Sequence, residues 1–425
     1  MAADEAPAAE PASRASGAAA SVAVSVALQR QVERALAAVL RLDGPADAAL
    51  RRFFQSNPRL GRRDRGVIAE TVFDVLRHRR RYAHLAESLT GSHAARLLQL
   101  SIGRRSGSGA AVGLDAGERE TLARALAVDV RALPQPVRLS LPDWLHRELL
   151  ADLGNEAELE ALGTALLEPA PLDLRANLLK TDPGSLQRAL ALAGVIAEPI
   201  EPAGTALRVQ GKPALETLPQ FQAGWFEVQD AGSQKLVEFC APRRGSTVVD
   251  FCAGAGGKTL ALAAAMRSSG QIYACDVSAA RLSRLRPRLA RSGATNVHPI
   301  AISDENDPKL ARLQARADLV LVDAPCSGVG TLRRHPELKW RLSPAAVAEL
   351  GAKQRSILRA AARLVAPRGA LVYATCSLLR RENDAVAAEF AAGRPDFAEC
   401  SVLRLRPDQH HCDGFYAVRW VRHNG

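Results

Sequence analysis

From about Phe226 onward the chain predicts a mostly parallel, doubly wound α/β sheet of Rossmann-like type. Three observations carry that prediction. Short β-branched apolar runs at 247–251, 271–275, 297–301, 318–323 and 369–375 alternate with helical patterns, as strands joined by crossover helices do. The stretch Ser246-Thr-Val-Val-Asp250 runs into the small-residue loop Phe251-Cys-Ala-Gly-Ala-Gly-Gly257 and then an Ala/Leu-rich pattern, which reads as strand, tight turn and helix start. Two further strand-like runs end in Pro-Cys326-Ser and Thr-Cys376-Ser, and in an open α/β sheet such strand ends share one crevice.

The elements before this half differ in kind. Residues 1–22 are Ala, Pro, Ser and Glu without periodicity and read as a disordered leader. Residues 23–133 read as an all-helical domain. Leu28, Val32, Leu36, Val39 and Leu40 recur at helical spacing, as do Val67, Val72, Val75 and Leu76 behind a cap at Asp64,. Gly103-Arg-Arg-Ser-Gly-Ser-Gly109 reads as a loop. Pro134 and Pro136 end this pattern. Residues 134–225 combine helical segments at 142–146, 148–167 and near 185–193 with alternating runs at 172–177 and 206–209, a small α+β subdomain. Residues 226–425 form the α/β domain, with a hairpin-like ending at 414–421.

The 425 residues are long enough for two or three domains, and the formal charge of +11 suggests a polyanionic partner,. Arginines cluster at 59, 62, 63 and 65 and again at 77, 79, 80 and 81. Each cluster is a solvated helix face or a set of RNA phosphate contacts. All seven cysteines lie at or after Cys240. Their odd number, uneven spacing and the acidic residues before the mildly apolar 18–28 stretch suggest reduced thiols in a cytoplasmic protein without a secretory signal. No stretch approaches the about 20 apolar residues of a membrane span, and neither strand-end thiol has the short ligand spacing of a metal site.

In the loop, Gly254, Gly256 and Gly257 let backbone approach a ligand closely. Asp276 ends the next strand, where a carboxylate accepts hydrogen bonds from a ribose diol. The loop alone would also suit a nicotinamide-dependent dehydrogenase, but that reading leaves the paired thiols without a role. Cys240, Cys275, Cys400 and Cys412 read as small buried hydrophobes, Cys252 as a structural part of the loop, and His410-His411-Cys412 as a solvent-facing cluster. Thiols at two strand ends beside a nucleoside site fit carbon-5 methylation of a pyrimidine. Addition of one thiolate at carbon 6 makes carbon 5 nucleophilic, a carboxyl group can absorb the charge developing on the ring nitrogen, and a second thiol can remove the carbon-5 proton for release.

These residues resemble the RNA 5-methylcytosine methyltransferases of the Nol1/Nop2/Sun family. The resemblance rests on Val228-Gln-Asp-Ala-Gly-Ser-Gln234, Asp250-Phe-Cys-Ala-Gly-Ala-Gly-Gly-Lys-Thr259, Asp276, Asp323-Ala-Pro-Cys-Ser-Gly328 and Tyr373-Ala-Thr-Cys-Ser377. Asp64–Arg77 looks like the NusB-like RNA-binding domain of the bacterial small-subunit rRNA branch, and Pro142–Leu145 with Leu174–Asn177 is similar to its linker subdomain. The resemblance implies S-adenosylmethionine as cofactor, held by Cys252, Ala253, Gly254, Ala255, Gly256, Gly257 and Lys258, with Asp276 on the ribose and an acid near the adenine, Asp304 or alternatively Glu305. It implies Asp323 between cofactor and base, Cys376 as nucleophile and Cys326 as release group. Cys326 is the alternative nucleophile, as in DNA methylases of similar chemistry.

The implied partner is RNA, small-subunit rRNA ahead of tRNA, bound by a monomer. A non-catalytic RNA-binding assembly factor is the rival from another class. Arg333, Arg334, His335, Lys339 and Arg341 are expected to clamp phosphates, and Arg284, Arg286, Arg288 and Arg291 to form a solvated face. One departure stands out: the family loop usually reads Cys-Ala-Ala-Pro-Gly-Gly-Lys-Thr, and Gly254-Ala255 here replaces Ala-Pro.

Overall fold

The computed structural model describes residues 25–423; the leader expected over 1–22 lies outside them. Five helices, Val26–Val39, Ala46–Ser56, Arg62–Leu85, His93–Ser106 and Ala116–Leu126, open the described chain. Their apolar stripes close on one core that includes Val32, Leu36, Ile68, Val72, Leu97 and Leu122. Side chains fix the helix starts. Ser25 accepts from Leu28 N, Ser92 from Ala95 N, and Asp115 forms a reciprocal capping box with Glu118,. The long third helix is capped by Gly61, with Asp64 in its first turn rather than at the cap. Gly103-Arg-Arg continues the fourth helix, and the expected loop begins only at Gly107.

The next segment is antiparallel. Strands β1 (Leu172–Ala176), β2 (Ala197–Pro199), β3 (Ala206–Val209) and β4 (Phe226–Val228) form a sheet in the order β2-β3-β1-β4. Phe226–Val228 thus pairs with β1 and belongs to this small sheet, three residues beyond the boundary read from the sequence. Helices Asp143–Leu153 and Glu156–Leu167 precede the sheet and pack elsewhere. Leu145, Leu149, Leu159 and Leu162 share a core with Val329, Leu332, Val347 and Leu379 of the α/β half.

Strands β5 (Thr247–Asp250), β6 (Gln271–Asp276), β7 (Val297–Ala301), β8 (Ala317–Asp323), β9 (Val365–Thr375), β10 (Phe397–Leu405) and β11 (Phe415–Arg422) form the second sheet, in the order β10-β11-β9-β8-β5-β6-β7. β5 pairs in parallel with both β6 and β8, and the run of parallel pairs extends to β7 and β9. β11 lies antiparallel between β9 and β10. The strand order reverses between β5 and β8, the switch point at which open α/β sheets bind ligands. β10 went unread in the sequence because Glu399 and Arg404 interrupt its apolar alternation, and the hairpin-like ending expected over 414–421 is instead the single strand β11, paired antiparallel with both β9 and β10.

The helical region docks on the α/β half through Arg333–Arg341. The third helix is kinked at His78 (φ −105°, ψ 15°). At that turn Leu76 O accepts from Trp340 Nε1 at 2.7 Å and Arg77 O from Lys339 Nζ at 2.8 Å. Arg77 donates back to Arg333 O at 3.0 Å, and Glu337 Oε1 accepts from Ala46 N, the start of the second helix, at 3.2 Å. Arg79 lies over the Trp340 ring, while Arg80 and Arg81 donate to the Leu141 and Arg138 carbonyls. Arg77 to Arg81 are therefore an internal interface, whereas Arg59, Arg62 and Arg63 are exposed. Among the described residues no helix is long and apolar enough to cross a membrane.

Lys339 is fully buried and meets a carbonyl rather than a carboxylate. Burial, with Arg77 and Arg81 nearby, holds its ammonium well below the usual lysine range,. Between its lowered folded-state value and about pH 10.5 the unfolded chain therefore binds more protons than the folded one, so this residue's contribution to stability rises with pH in that window. Unfolding of wild type and Lys339→Met, compared at pH 6 and pH 9, should show wild type gaining on the variant at the higher pH; a constant difference would refute the assignment.

Candidate active site

A cavity of about 560 Å³ lies at the switch point. It is lined by Cys252, Ala253, Gly254, Ala255, Gly257, Lys258, Asp276, Asp323, Cys326 and Cys376, with Glu305 and Lys353 at another wall. Of the residues read from the sequence, Gly256 and Asp304 are not in the lining. Gly256 acts from behind. It has φ +82°, and a Cβ there would meet the Leu285 side chain at 2.1 Å, so the loop can fold over that helix only with glycine. Asp304 is exposed, and its carboxylate accepts from Asn306 N at 2.7 Å within the turn. Glu305 takes the cavity wall instead, held by Lys353 at 2.8 Å and Ser356 at 2.6 Å, which bring its carboxyl down to about 2.

The Asp276 end of the cavity is built from β6. Asp276 is buried; Oδ2 accepts from Gly254 N at 2.8 Å and Oδ1 from Ser278 N at 2.7 Å and Arg281 at 3.0 Å. These bonds fix the carboxylate at the rim beside a loop whose backbone carries no obstructing Cβ at Gly254. Gly254 has φ +57°, a left-handed conformation that costs other residues about 1 kcal/mol. Two arginines support the loop directly. Arg175 of β1 donates to Gly257 O at 2.9 Å and Arg288 to Ala255 O at 2.6 Å. Arg288 and Arg291 both pair with Glu227 of β4. Arg288 and Arg291 are thus structural, while Arg284 and Arg286 are exposed as expected.

Asp250, at the end of β5, is buried and accepts from Thr259 Oγ1 at 2.6 Å. Burial pushes its carboxyl up to about 7. Lys258 Nζ stands 2.6 Å from Asp323 Oδ2; although burial opposes it, Asp323 keeps the ammonium above its ordinary value.

The two strand-end thiols meet: Cys326 Sγ and Cys376 Sγ are 3.4 Å apart. The hydrogen bond to Cys376, then burial, holds the Cys326 thiol well above the usual range. Backbone ties hold the two turns in register: Ala324 N donates to Ala374 O and Gly330 N to Cys376 O, both at 2.9 Å. Cys240, Cys275 and Cys412 are buried as read, but Cys400 is exposed on β10. Cys412 being buried, the His410–Cys412 cluster is not a solvent-facing unit. Three of the five residues expected to clamp phosphates are engaged within the protein, while Arg341 is exposed. Arg334 pairs with Asp230 and Asp413, Arg333 donates to Pro169 O, and Lys339 is inside the protein. Sequence reasoning missed Lys353 and Glu382, which are brought near the site by tertiary contacts and carry no local motif, and it gave Arg175, inside the quoted Leu174–Asn177 stretch, no role at the loop.

A family model described as 16S rRNA methyltransferase RsmB/F matches residues 237–421, and the ferredoxin-like domain model of the same group matches 141–216. The "Probable ribosomal RNA small subunit methyltransferase B" of Synechocystis sp. is 36% identical over 294 residues, 65% of this chain and 66% of that protein. The ribosomal RNA small subunit methyltransferase B of Sodalis glossinidius is 34% identical over 298 residues, 68% of this chain and 67% of that protein. The chain belongs to the RsmB/F family. These alignments span about two thirds of each relative's length. A solved structure titled PH0851 is 25% identical with a TM-score of 0.75, covering 92% of this chain and 98% of that one. The likeness to that structure therefore takes in part of the helical region as well as the family's α/β half.

Two loop glycines should separate by their surroundings. Gly256→Ala should destabilise the protein strongly, through the 2.1 Å approach to Leu285. Gly254→Ala has nothing within 4 Å and should cost only about 1 kcal/mol of conformational strain. Equal losses in denaturant unfolding would contradict this account of the loop.

Proposed function

We propose that this protein transfers a methyl group from S-adenosylmethionine to carbon 5 of a cytosine in small-subunit rRNA through a covalent bond to Cys376. The observation that carries the reading is the 3.4 Å thiol pair in the same cavity as the Asp276 cradle. The cavity fits the cofactor: a rim carboxylate for the ribose, Glu305 and Lys353 for the purine end, and a loop whose backbone can approach the methionine part. When bound there, S-adenosylmethionine supplies an electrophilic methyl group.

The chain's own residues do the rest. Cys376, as thiolate, donates its electron pair to carbon 6, and the carbon 5–carbon 6 π bond supplies the electrons that carbon 5 uses to take the methyl. Lys258 and Asp323 stand as ammonium and carboxylate relay where charge develops on the ring nitrogen. Cys326 gives its own proton to solvent and as thiolate takes the carbon-5 proton, and the electrons of that C–H bond restore the double bond as the Cys376–carbon 6 bond breaks. The exposed Arg59, Arg62 and Arg63 of the helical region provide phosphate contacts, which carry affinity rather than sequence choice. The relatives' names favour small-subunit rRNA over tRNA.

Incubation with labelled S-adenosylmethionine and separate rRNA and tRNA fractions tests the whole reading. Label should appear in 5-methylcytidine of small-subunit rRNA. Label in tRNA would replace the substrate, and RNA binding without label would favour an assembly factor. Cys326→Ala should accumulate a protein–RNA adduct stable to denaturation. Cys376→Ala should form none and lose activity by about a thousandfold or more. Normal turnover of Cys326→Ala without adduct would remove its release role.

A further inference from the structure

Glu382 lies outside the cavity, yet it is the point at which both thiol-bearing turns are held. Its side chain is fully buried. Oε1 accepts from Ser327 N at 2.8 Å and from Gln354 Nε2 at 3.0 Å. Oε2 accepts from both Ser327 Oγ and Ser377 Oγ, and those two hydroxyls are 3.1 Å apart. Ser327 follows Cys326 and Ser377 follows Cys376. One carboxylate therefore bridges the residues next to each thiol. The backbone at 382 is itself fixed, since Glu382 O accepts from Tyr373 OH at 2.6 Å within the core of β9. The neighbouring Asn383 clasps the second turn from both sides, through Thr375 Oγ1 at 2.6 Å and Ser377 O at 3.0 Å.

A carboxylate buried this deeply is a poor choice for stability alone. Taking an ionised group from water is costly even when paired, and an apolar residue of similar volume often serves a core as well or better. What a carboxylate does that a leucine cannot is accept several strong hydrogen bonds at fixed angles. Here those bonds run to two separate loops. We infer that Glu382 is a positioning residue for the reaction, setting the separation of the Cys326 and Cys376 thiols by tying Ser327 to Ser377. The inference rests on reading those thiols as nucleophile and release base, and displacements near 1 Å in such pairs alter rates by up to about 100-fold.

Closure of the thiol pair into a disulfide measures their separation without RNA. Diamide takes one hydrogen from each thiol as the sulfur–sulfur bond forms and is itself reduced to the hydrazine. The Cys326–Cys376 linked peptide can be followed by mass after digestion. Glu382→Gln keeps the shape but not two equivalent acceptor oxygens, and it should slow closure about 10-fold while the unfolding midpoint shows a folded protein. Ser377→Ala, a milder change, should slow it less and covers the case in which the Glu382 variant fails to fold. In methyl transfer the same variants should lower kcat and leave KM for RNA near the wild-type value, a split that general destabilisation does not produce.

Folded Glu382→Gln closing the disulfide at the wild-type rate, with kcat unchanged, would overturn the inference. If wild type transfers no methyl to any RNA while Glu382→Gln and Ser377→Ala still slow closure, the positioning of the thiols stands and the proposed activity falls.

Discussion

β8 and β9 are parallel neighbours, with Asp323 in register with Ala374, and the rest of the site depends on that. Parallel neighbours end on the same edge of the sheet, so the turns that follow them must meet. Had either strand been antiparallel, Cys326 and Cys376 would lie at opposite edges. The central position of β5 beside β8 brings the glycine loop to the same edge, and β6 next to it adds Asp276. Four strand ends thus converge without any of them bending to do so. The remaining work is local: capping, burial and the hydrogen bonds that hold each turn in one conformation.

Much of this was legible in the chain, for a physical reason. Fully buried parallel strands are continuous apolar runs, and a ligand loop at their ends needs small residues, so both leave marks on consecutive positions. The ranges of β5 to β8, the thiol-bearing turns and the helical character of the first hundred described residues could be read this way. Where the sequence misled, the determinant was tertiary. An arginine on a helix looks the same whether it meets water or, like Arg288 and Arg291, a buried Glu227. Lys339 and Arg334 sit in a basic stretch that suggests phosphate, and only the fold shows them turned to a carbonyl and to Asp230 and Asp413. Asp304 and Glu305 are adjacent, and which one faces the cavity depends on the turn that Asp304 itself stabilises. β10 was hidden because one of its faces is largely exposed and carries charge.

The docking of the helical region has a particular character. With ion pairs such as Arg80–Asp143 and Lys212–Glu70 elsewhere, against Arg333–Arg341 it uses carbonyls at the kinked turn of a long helix. Such contacts are directional and short, and they fix the angle between the regions more tightly than an apolar patch of the same extent would. Because Arg333–Arg341 directly follows the Pro-Cys turn, the same segment that anchors the helices also supports one of the two thiols. The shared core of Leu145 and Leu159 with Val329 and Leu332 reinforces that connection from the other side.

The last described strand has a temporal consequence. β11 enters the sheet between β9 and β10, and Gly414, just before it, donates to Gly330 O at 2.8 Å behind the Pro-Cys turn. A Cβ on Gly330 would stand 2.3 Å from Gly414 O, so the two backbones are in direct contact. During synthesis on the ribosome the glycine loop, both cysteines and the helical region all emerge before this strand does. The nascent chain can therefore hold every reactive group while lacking the brace that sets one of them. The backbone contact behind the Pro-Cys turn is completed only once this last described strand has been made.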